Sequence, residues 1–176
     1  MELLDGISKR RSVRKFTDQV VDREVLNNLV KAGMQAPSAS NLQAWRFVIV
    51  DDPLVVKKIK RFSPGLVGDP QAIIIICSDY GYAESRKSGT HYKEYGCIMD
   101  ASMAAENIML VAVDAGLGTC AIKSYTEKAV RKIVQLPSDI HLEILLSVGY
   151  PDGELRMVKR KPFEDNVHYN VWEKKV

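Results

Sequence analysis

The first residues that could do chemistry lie in the basic run KRRSVRKF, at positions 9 to 16. In this run Arg10, Arg11 and Arg14 flank Ser12. Guanidinium groups donate paired hydrogen bonds to phosphate oxygens, and a serine hydroxyl adds a neutral donor. The run therefore predicts an anion-binding segment, and a solvated basic linker is the alternative.

A second candidate is the loop APSASNLQA at positions 36 to 44. It carries Ser38, Ser40, Asn41 and Gln43, and Pro37 stiffens it. Hydroxyl and amide groups suit the polar edge of a heteroaromatic ring or a ribityl chain. Ordinary turn chemistry is the alternative, because Pro, Ser and Asn are also common turn residues.

Two further segments come late in the chain. GLGTCAIKS begins at Gly116, after a predicted helix, and the basic segment VKRKPFED contains Arg160. The glycines alone are weak evidence for a ligand site, because a glycine commonly follows the end of a helix.

Composition and charge exclude several classes of protein. The 176 residues are 46% hydrophobic, and the net charge of +3 is too small to imply a nucleic-acid binder. The longest apolar runs have six residues, far fewer than the roughly 20 that a membrane-spanning helix needs. We therefore expect a soluble, cytoplasmic protein that binds neither membrane nor nucleic acid.

Cysteine and histidine spacing gives no metal or disulfide pattern. Three cysteines and three histidines occur, without a C-x-x-C pair or an H-E-x-x-H motif. We expect no metal site, and we expect Cys77 and Cys120 to be buried and inert.

Hydrophobic periodicity and turn residues predict an alternation of helices and strands. Helices are predicted at 1–9, 22–35, 52–62, 92–115 and 126–134, and strands at 45–50, 71–78 and 141–151. Residues 79–92 are predicted to be polar and mobile. The irregular order favours an α+β sandwich.

Local details follow from the same patterns. Asp22 and Thr126 are predicted to cap their helices through their side chains. In the helix at 52–62, the spacing predicts that Leu54, Val55, Ile59 and Phe62 pack inward while the lysines face water.

The predicted helix at 92–115 is apolar nearly all round. Its polar stripe passes only through Asp100, Glu106 or Asn107, and Asp114. Such a helix must be covered on all sides, either inside one core or by a second subunit. The segment from Asp152 onward has aromatic residues without helical periodicity, and it is predicted to wrap onto another surface.

In this order, the segments RRSVRKF, APSASNLQAWRF, AGLGTC, LSVGYP and KRKPF resemble the nitroreductase family of FMN-dependent oxidoreductases. The resemblance covers nearly the whole chain. It implies one domain, 1–176, with a C-terminal extension from about 152. It also implies a homodimer with a central, mainly antiparallel sheet flanked by helices, exchanged C-terminal segments and FMN at the subunit interface.

The resemblance also implies roles for individual residues. Arg10 and Ser12 would bind the phosphate and ribityl chain, and Arg160 would join the phosphate from the far end of the chain. Arg14 would lie near the pyrimidine edge of the flavin. Pro37, Ser38 and Asn41 would reach the FMN of the partner subunit. The backbone of Ile122, Lys123 and Ser124 would face N5, and Arg11 and Ser40 complete the implied cofactor-binding set.

The implied activity is hydride transfer from NADH or NADPH through FMN to a small aromatic, nitroaromatic or quinone-like acceptor, by a ping-pong mechanism. The flavin N5 would carry the chemistry, so no catalytic side chain is assigned. Three alternatives stay open. They are a family member with flavin-fragmenting, dehalogenating or dehydrogenating chemistry, a non-catalytic FMN-binding protein, and a nucleic-acid binder.

Overall fold

The structure is a computed structural model that describes residues 1–86, 92–155 and 158–172. Its helices are α1 (Leu3–Lys9), α2 (Arg23–Gly33), α3 (Pro53–Arg61), α4 (Tyr80–Ser85), α5 (Cys97–Asp114) and α6 (Glu127–Ile133). Its strands are β1 (Trp45–Val50), β2 (Ala72–Asp79), β3 (Gly118–Ile122) and β4 (Ile140–Gly149). Short 3₁₀ turns lie at Ala39–Asn41 and Phe163–Asp165, and a π-helical turn, Tyr92–Gly96, leads into α5.

The four strands form one sheet in the order β1-β2-β4-β3, and every neighbouring pair is antiparallel. The predicted α+β fold with an antiparallel sheet is therefore confirmed. Strand β3 was predicted only as a short apolar run, because five residues that begin with a glycine give too little alternation to identify a strand.

Helices cover both faces of the sheet. Side chains alternate along a strand, so Ile74 of β2 packs in one cluster with Leu26 of α2 and Ile108 of α5. Its neighbour Ile75 packs in the opposite cluster with Ile59 of α3. Strand β2 is buried on both faces, as predicted from its run of four isoleucines.

Several local predictions are wrong. Residues 80–85 form helix α4 instead of a mobile polar stretch, and the Asp79 carboxylate caps it by accepting a hydrogen bond from the Tyr82 N–H. The rest of that prediction falls partly on residues 87–91, which lie outside the described part of the chain. The side chains of Asp22 and Thr126 make no capping hydrogen bond.

The predicted inward face of helix α3 is partly correct. Ile59 is buried and Val55 is half-buried, as predicted. Leu54 and Phe62 are exposed instead, and Val56 is buried in their place. The short helix lies against only one sheet face, so two apolar positions on its flank stay in solvent.

Helix α5 leaves part of its apolar surface uncovered within one chain. Ala101, Ala105 and Ile108 face the core, whereas 62% of Met99 is exposed and Val111 is also exposed. The neighbouring α1 exposes Leu3, Leu4 and Ile7. We call these five exposed residues the α1/α5 surface.

Asp100 is the main exception to the predicted polar stripe of α5. Only 3% of it is exposed, so it lies inside the protein and not on the solvent side of the helix. One of its partners belongs to the loop at 36–44 and the other to the π-helical turn Tyr92–Gly96.

Within residues 1–86, 92–155 and 158–172, no helix has the length and hydropathy that a membrane span requires. The same residues contain no group of His, Cys, Asp and Glu side chains arranged to hold a metal ion.

Candidate functional site

The basic segment that follows α1 is attached to the edge of the sheet. The Val13 N–H donates to the Thr119 carbonyl at 2.8 Å, and the Thr17 N–H donates to the Tyr150 carbonyl at 2.9 Å. Val13 is buried, so alternation directs its neighbours Ser12 and Arg14 toward solvent. The segment thus places the polar side chains of Ser12 and Arg14 on the solvent side, next to β3.

Two glycines allow this close approach. A Cβ on Gly118 would lie 2.6 Å from the Val13 side chain, and a Cβ on Gly68 would lie 2.2 Å from the Arg14 carbonyl oxygen. Gly68 also has φ of +80°, which favours glycine. The segment around Arg14 therefore packs directly against the backbone of Gly118 and of Gly68, neither of which has a side chain.

A cavity of about 780 Å³ lies over this segment. It is lined by Arg10, Arg11, Ser12, Arg14, Leu155, Val158, Lys159 and Arg160. Five of these eight residues are basic and none is acidic. The structure thus brings Arg160 beside the arginines of the N-terminal segment, and it adds Lys159, which the sequence reasoning missed although it lies in the same basic run.

Nearby groups orient two of the arginines. The Nε atom of Arg10 lies 3.1 Å from a carboxylate oxygen of Glu106 on α5. The Nη1 group of Arg11 donates to the carbonyls of Ser8 and Arg10, at 2.5 and 2.7 Å. Arg11 therefore also binds carbonyls at the C-terminal end of α1, a role that the sequence did not predict.

The loop at 36–44 lies elsewhere in the same chain. Pro37, Ser38, Ser40 and Asn41 do not line the described cavity. The Ser38 hydroxyl accepts a hydrogen bond from the Gln43 N–H at 3.0 Å. This serine therefore supports the loop's own conformation.

The third predicted group follows β3. Ile122 ends the strand and is buried, whereas Lys123 and Ser124 are exposed. The Lys123 ammonium donates to the Glu143 carbonyl at 2.7 Å. A Cβ on Gly65 would approach Ile122 and Ser124 to 2.9 and 3.2 Å, so another glycine permits close packing here.

Burial disfavours thiolate chemistry at two of the cysteines. It raises the pKa of Cys77 to about 12 and the pKa of Cys97 to about 11. Cys120 is buried as well. Thiols with pKa values as high as those of Cys77 and Cys97 are poor nucleophiles at neutral pH.

Comparison with known proteins identifies the family. The family model described as the nitroreductase family matches residues 7–66 and 58–150. The chain belongs to the nitroreductase family. Both the family and the class of enzyme that the sequence predicted, an oxidoreductase, are confirmed.

Individual relatives of this nitroreductase-family chain cover nearly all of it. An Archaeoglobus fulgidus protein, whose name includes "NADH dehydrogenase/NAD(P)H nitroreductase", is 33% identical over 97% of this chain and 99% of its own length. A Staphylococcus aureus "NADPH-dependent oxidoreductase" is 30% identical over 94% of this chain and 72% of its own length.

A solved structure from Clostridium difficile has the same fold. It is described as an "FMN-dependent Nitroreductase", with 28% identity and a TM-score of 0.79. The match covers 96% of this chain and 99% of the other chain.

Proposed function

We propose that the chain is an FMN-dependent oxidoreductase that transfers a hydride from NAD(P)H through FMN to a small acceptor. The acceptor is aromatic, nitroaromatic or quinone-like, and the two substrates react in turn by a ping-pong mechanism. The observation that carries the proposal is the cavity whose lining, among the residues that the structure describes, includes five basic residues and no acidic one. The names of the relatives support NAD(P)H and FMN.

The donors around the cavity fit a terminal phosphate. Guanidinium groups of Arg10 and Arg160, the hydroxyl of Ser12 and the ammonium of Lys159 would bind its oxygens. The Glu106 carboxylate would hold Arg10 in place. FMN is favoured over FAD because the sequence has no G-x-G-x-x-G motif for a second phosphate.

Strand β3 runs between the proposed phosphate and ring sites. Gly118 begins the strand beside Val13, and Ile122 ends it. The rise along a strand is about 3.3 Å per residue, so the four residue steps from Gly118 to Ile122 separate their Cα atoms by about 13 Å. A flavin lying along β3 would therefore have its ring near the backbone of Ile122, Lys123 and Ser124.

Bound FMN would supply the hydride-accepting N5 atom. Arg14 would place a positive charge near the pyrimidine edge, where it stabilises the reduced cofactor electrostatically. The protein's part is to bind and orient the flavin, so no side chain needs to act as a nucleophile.

The proposal includes a homodimer. Exposed apolar side chains of the α1/α5 surface would pack against a second copy, as in an obligate interface. Pro37, Ser38, Ser40 and Asn41 would then reach the partner's FMN. The C-terminal residues Tyr169 and Trp172, which are 71% and 81% exposed, would cover the partner. A cytoplasmic location stays a prediction from the sequence.

The test is an absorbance spectrum of the purified protein before and after anaerobic addition of NADH or NADPH. We expect a flavin spectrum that the reduced nucleotide bleaches and that a nitroaromatic or quinone restores. Chromatography of the flavin released by denaturation should give FMN. Released FAD, or no binding of added FMN, would refute the proposal.

The same spectra separate the alternatives. A non-catalytic FMN-binding protein would keep its absorbance after NAD(P)H is added. A family member with diverged flavin chemistry would not pass electrons to the nitroaromatic or quinone acceptor.

A further inference from the structure

The loop from Ser38 to Gln43 has an unusual backbone. Ser40, Asn41 and Gln43 have φ values of 51°, 53° and 53°. Residues with a Cβ rarely adopt this left-handed region, and asparagine tolerates it better than serine or glutamine. Contacts from the surrounding structure must therefore hold the loop in this conformation.

One such contact comes from the buried carboxylate of Asp100 on α5. The Ala39 N–H lies 3.2 and 3.3 Å from its two oxygens, at the start of the left-handed stretch. The Tyr92 hydroxyl donates to the same carboxylate at 2.6 Å. Hydrogen bonds to a buried charged group are stronger than those between neutral groups.

The position of the Tyr92 ring depends in turn on Gly96. A Cβ on Gly96 would lie 2.2 Å from a ring carbon of Tyr92. Both residues belong to the π-helical turn Tyr92–Gly96, a rare form that often occurs at functional sites. The absence of a side chain at Gly96 thus lets the Tyr92 ring pack against the turn and reach Asp100.

We propose that Gly96, Tyr92 and Asp100 form a positioning unit for the loop Ser38–Gln43. Gly96 admits the Tyr92 ring, Tyr92 orients the Asp100 carboxylate, and Asp100 binds the Ala39 N–H. The unit sets the loop's conformation. Its importance for the cofactor rests on the proposed function, in which this loop contacts the flavin of the partner subunit.

The first test is hydrogen–deuterium exchange of the full-length protein without flavin. Tyr92→Phe removes one hydroxyl. Tyr82→Phe on helix α4 is the control, because Arg46 and Arg86 contact the face of its ring, which phenylalanine keeps. In Tyr92→Phe we expect exchange across residues 39–43 to quicken about tenfold, the effect of losing one charge-assisted hydrogen bond. Exchange in β2 and β4 should not change, and Tyr82→Phe should behave like wild type.

Gly96→Ala provides a second variant that touches neither the carboxylate nor the loop. Its added methyl group should displace the Tyr92 ring and quicken exchange across the same residues. If the loop keeps its wild-type exchange in both variants, the proposal is wrong. The proposal is also overturned if exchange in the strands of the sheet rises as much as exchange in the loop, because Gly96 and Tyr92 would then stabilise the whole fold.

Cofactor affinity tests the functional consequence. Asp100→Asn should raise the Kd for FMN about tenfold, again the effect of one charge-assisted hydrogen bond. In an Asn41→Ala background the same change should cost less, because the loop contact that it positions is already weakened. Additive effects of the two substitutions would overturn this role. If wild type binds no FMN while Tyr92→Phe still frees the loop, the proposed function fails and the positioning unit stands.

Discussion

Replacement of Gly118 by alanine tests whether the basic segment must lie directly on β3. The added Cβ would lie 2.6 Å from Val13 Cβ, whereas carbon atoms in good contact are about 3.5 to 4.0 Å apart. One of the two must therefore move by roughly 1 Å. Val13 is restrained because it is buried and its N–H binds the Thr119 carbonyl. Gly118 is restrained because it pairs with Gly149 in the sheet.

Two effects of different size are expected. Overpacking of this kind costs about 1 to 3 kcal/mol of the free energy of unfolding. Displacement of Val13 would also move Ser12 and Arg14 out of line with the cavity. Loss of one charge-assisted hydrogen bond, about 1.5 to 3 kcal/mol, would raise the Kd for FMN roughly tenfold to a hundredfold.

The assay combines urea denaturation with titration of FMN fluorescence. Gly81→Ala is the matched control, because its Cβ would meet no atom closer than 3.7 Å. Val13→Ala in the Gly118→Ala background should restore part of the FMN affinity, because it removes the two Val13 methyl groups that lie 2.6 and 2.7 Å from the added Cβ and leaves only the contact with Cβ. Wild-type FMN affinity in Gly118→Ala would refute the claim that this close packing positions the donors.

Three further outcomes are expected. Arg14→Ala should raise the Kd for FMN about tenfold or more and lower the reduction potential of the bound flavin. The same substitution at the exposed Lys58 should do neither, and equal effects of the two substitutions would mean that diffuse charge holds the cofactor. Truncation after Tyr150 should abolish both the dimer and FMN binding. A truncated protein that is folded, carries FMN and sediments as a monomer would contradict the proposed exchange of C-terminal segments. At pH 8 iodoacetamide should label Cys77 and Cys97 only after unfolding, because burial raises their pKa values above that of a thiol in the unfolded chain. Rapid labelling of the native protein would show instead that the thiols are accessible.

Local signals in the sequence were sufficient for most elements. Strand β1 has the predicted bounds, Trp45–Val50, because its residues are β-branched and aromatic and a polar loop precedes it. Helix α3 lies within the predicted range 52–62, and the Asp52 carboxylate before its first residue accepts hydrogen bonds from the backbone of Leu54 and Val55. Such capping depends on neighbours in the chain, so a short window of sequence contains the information.

The interior position of Asp100 could not be found in the same way. Periodicity placed Asp100 on a polar stripe of the helix. Such a stripe was expected to face solvent, because an acidic residue on a helix is usually exposed. Its burial depends on Ala39 and Tyr92, whose groups bind the carboxylate. The available signal was an acidic residue near the start of a helix that is apolar nearly all round.

The sequence by itself determined the family, the α+β class and the chemical types of the candidate binding residues, since motif order and hydrophobic periodicity are properties of the chain alone. Only the tertiary structure decided which of these residues meet. Arg10 and Arg160 line one cavity although about 150 positions separate them, whereas the loop at Ser38 lies apart from that cavity. The physical reason is that such contacts depend on the packing of the sheet edge, the close approach at Gly118 and the path of the C-terminal segment, and none of these is encoded in a local stretch of sequence.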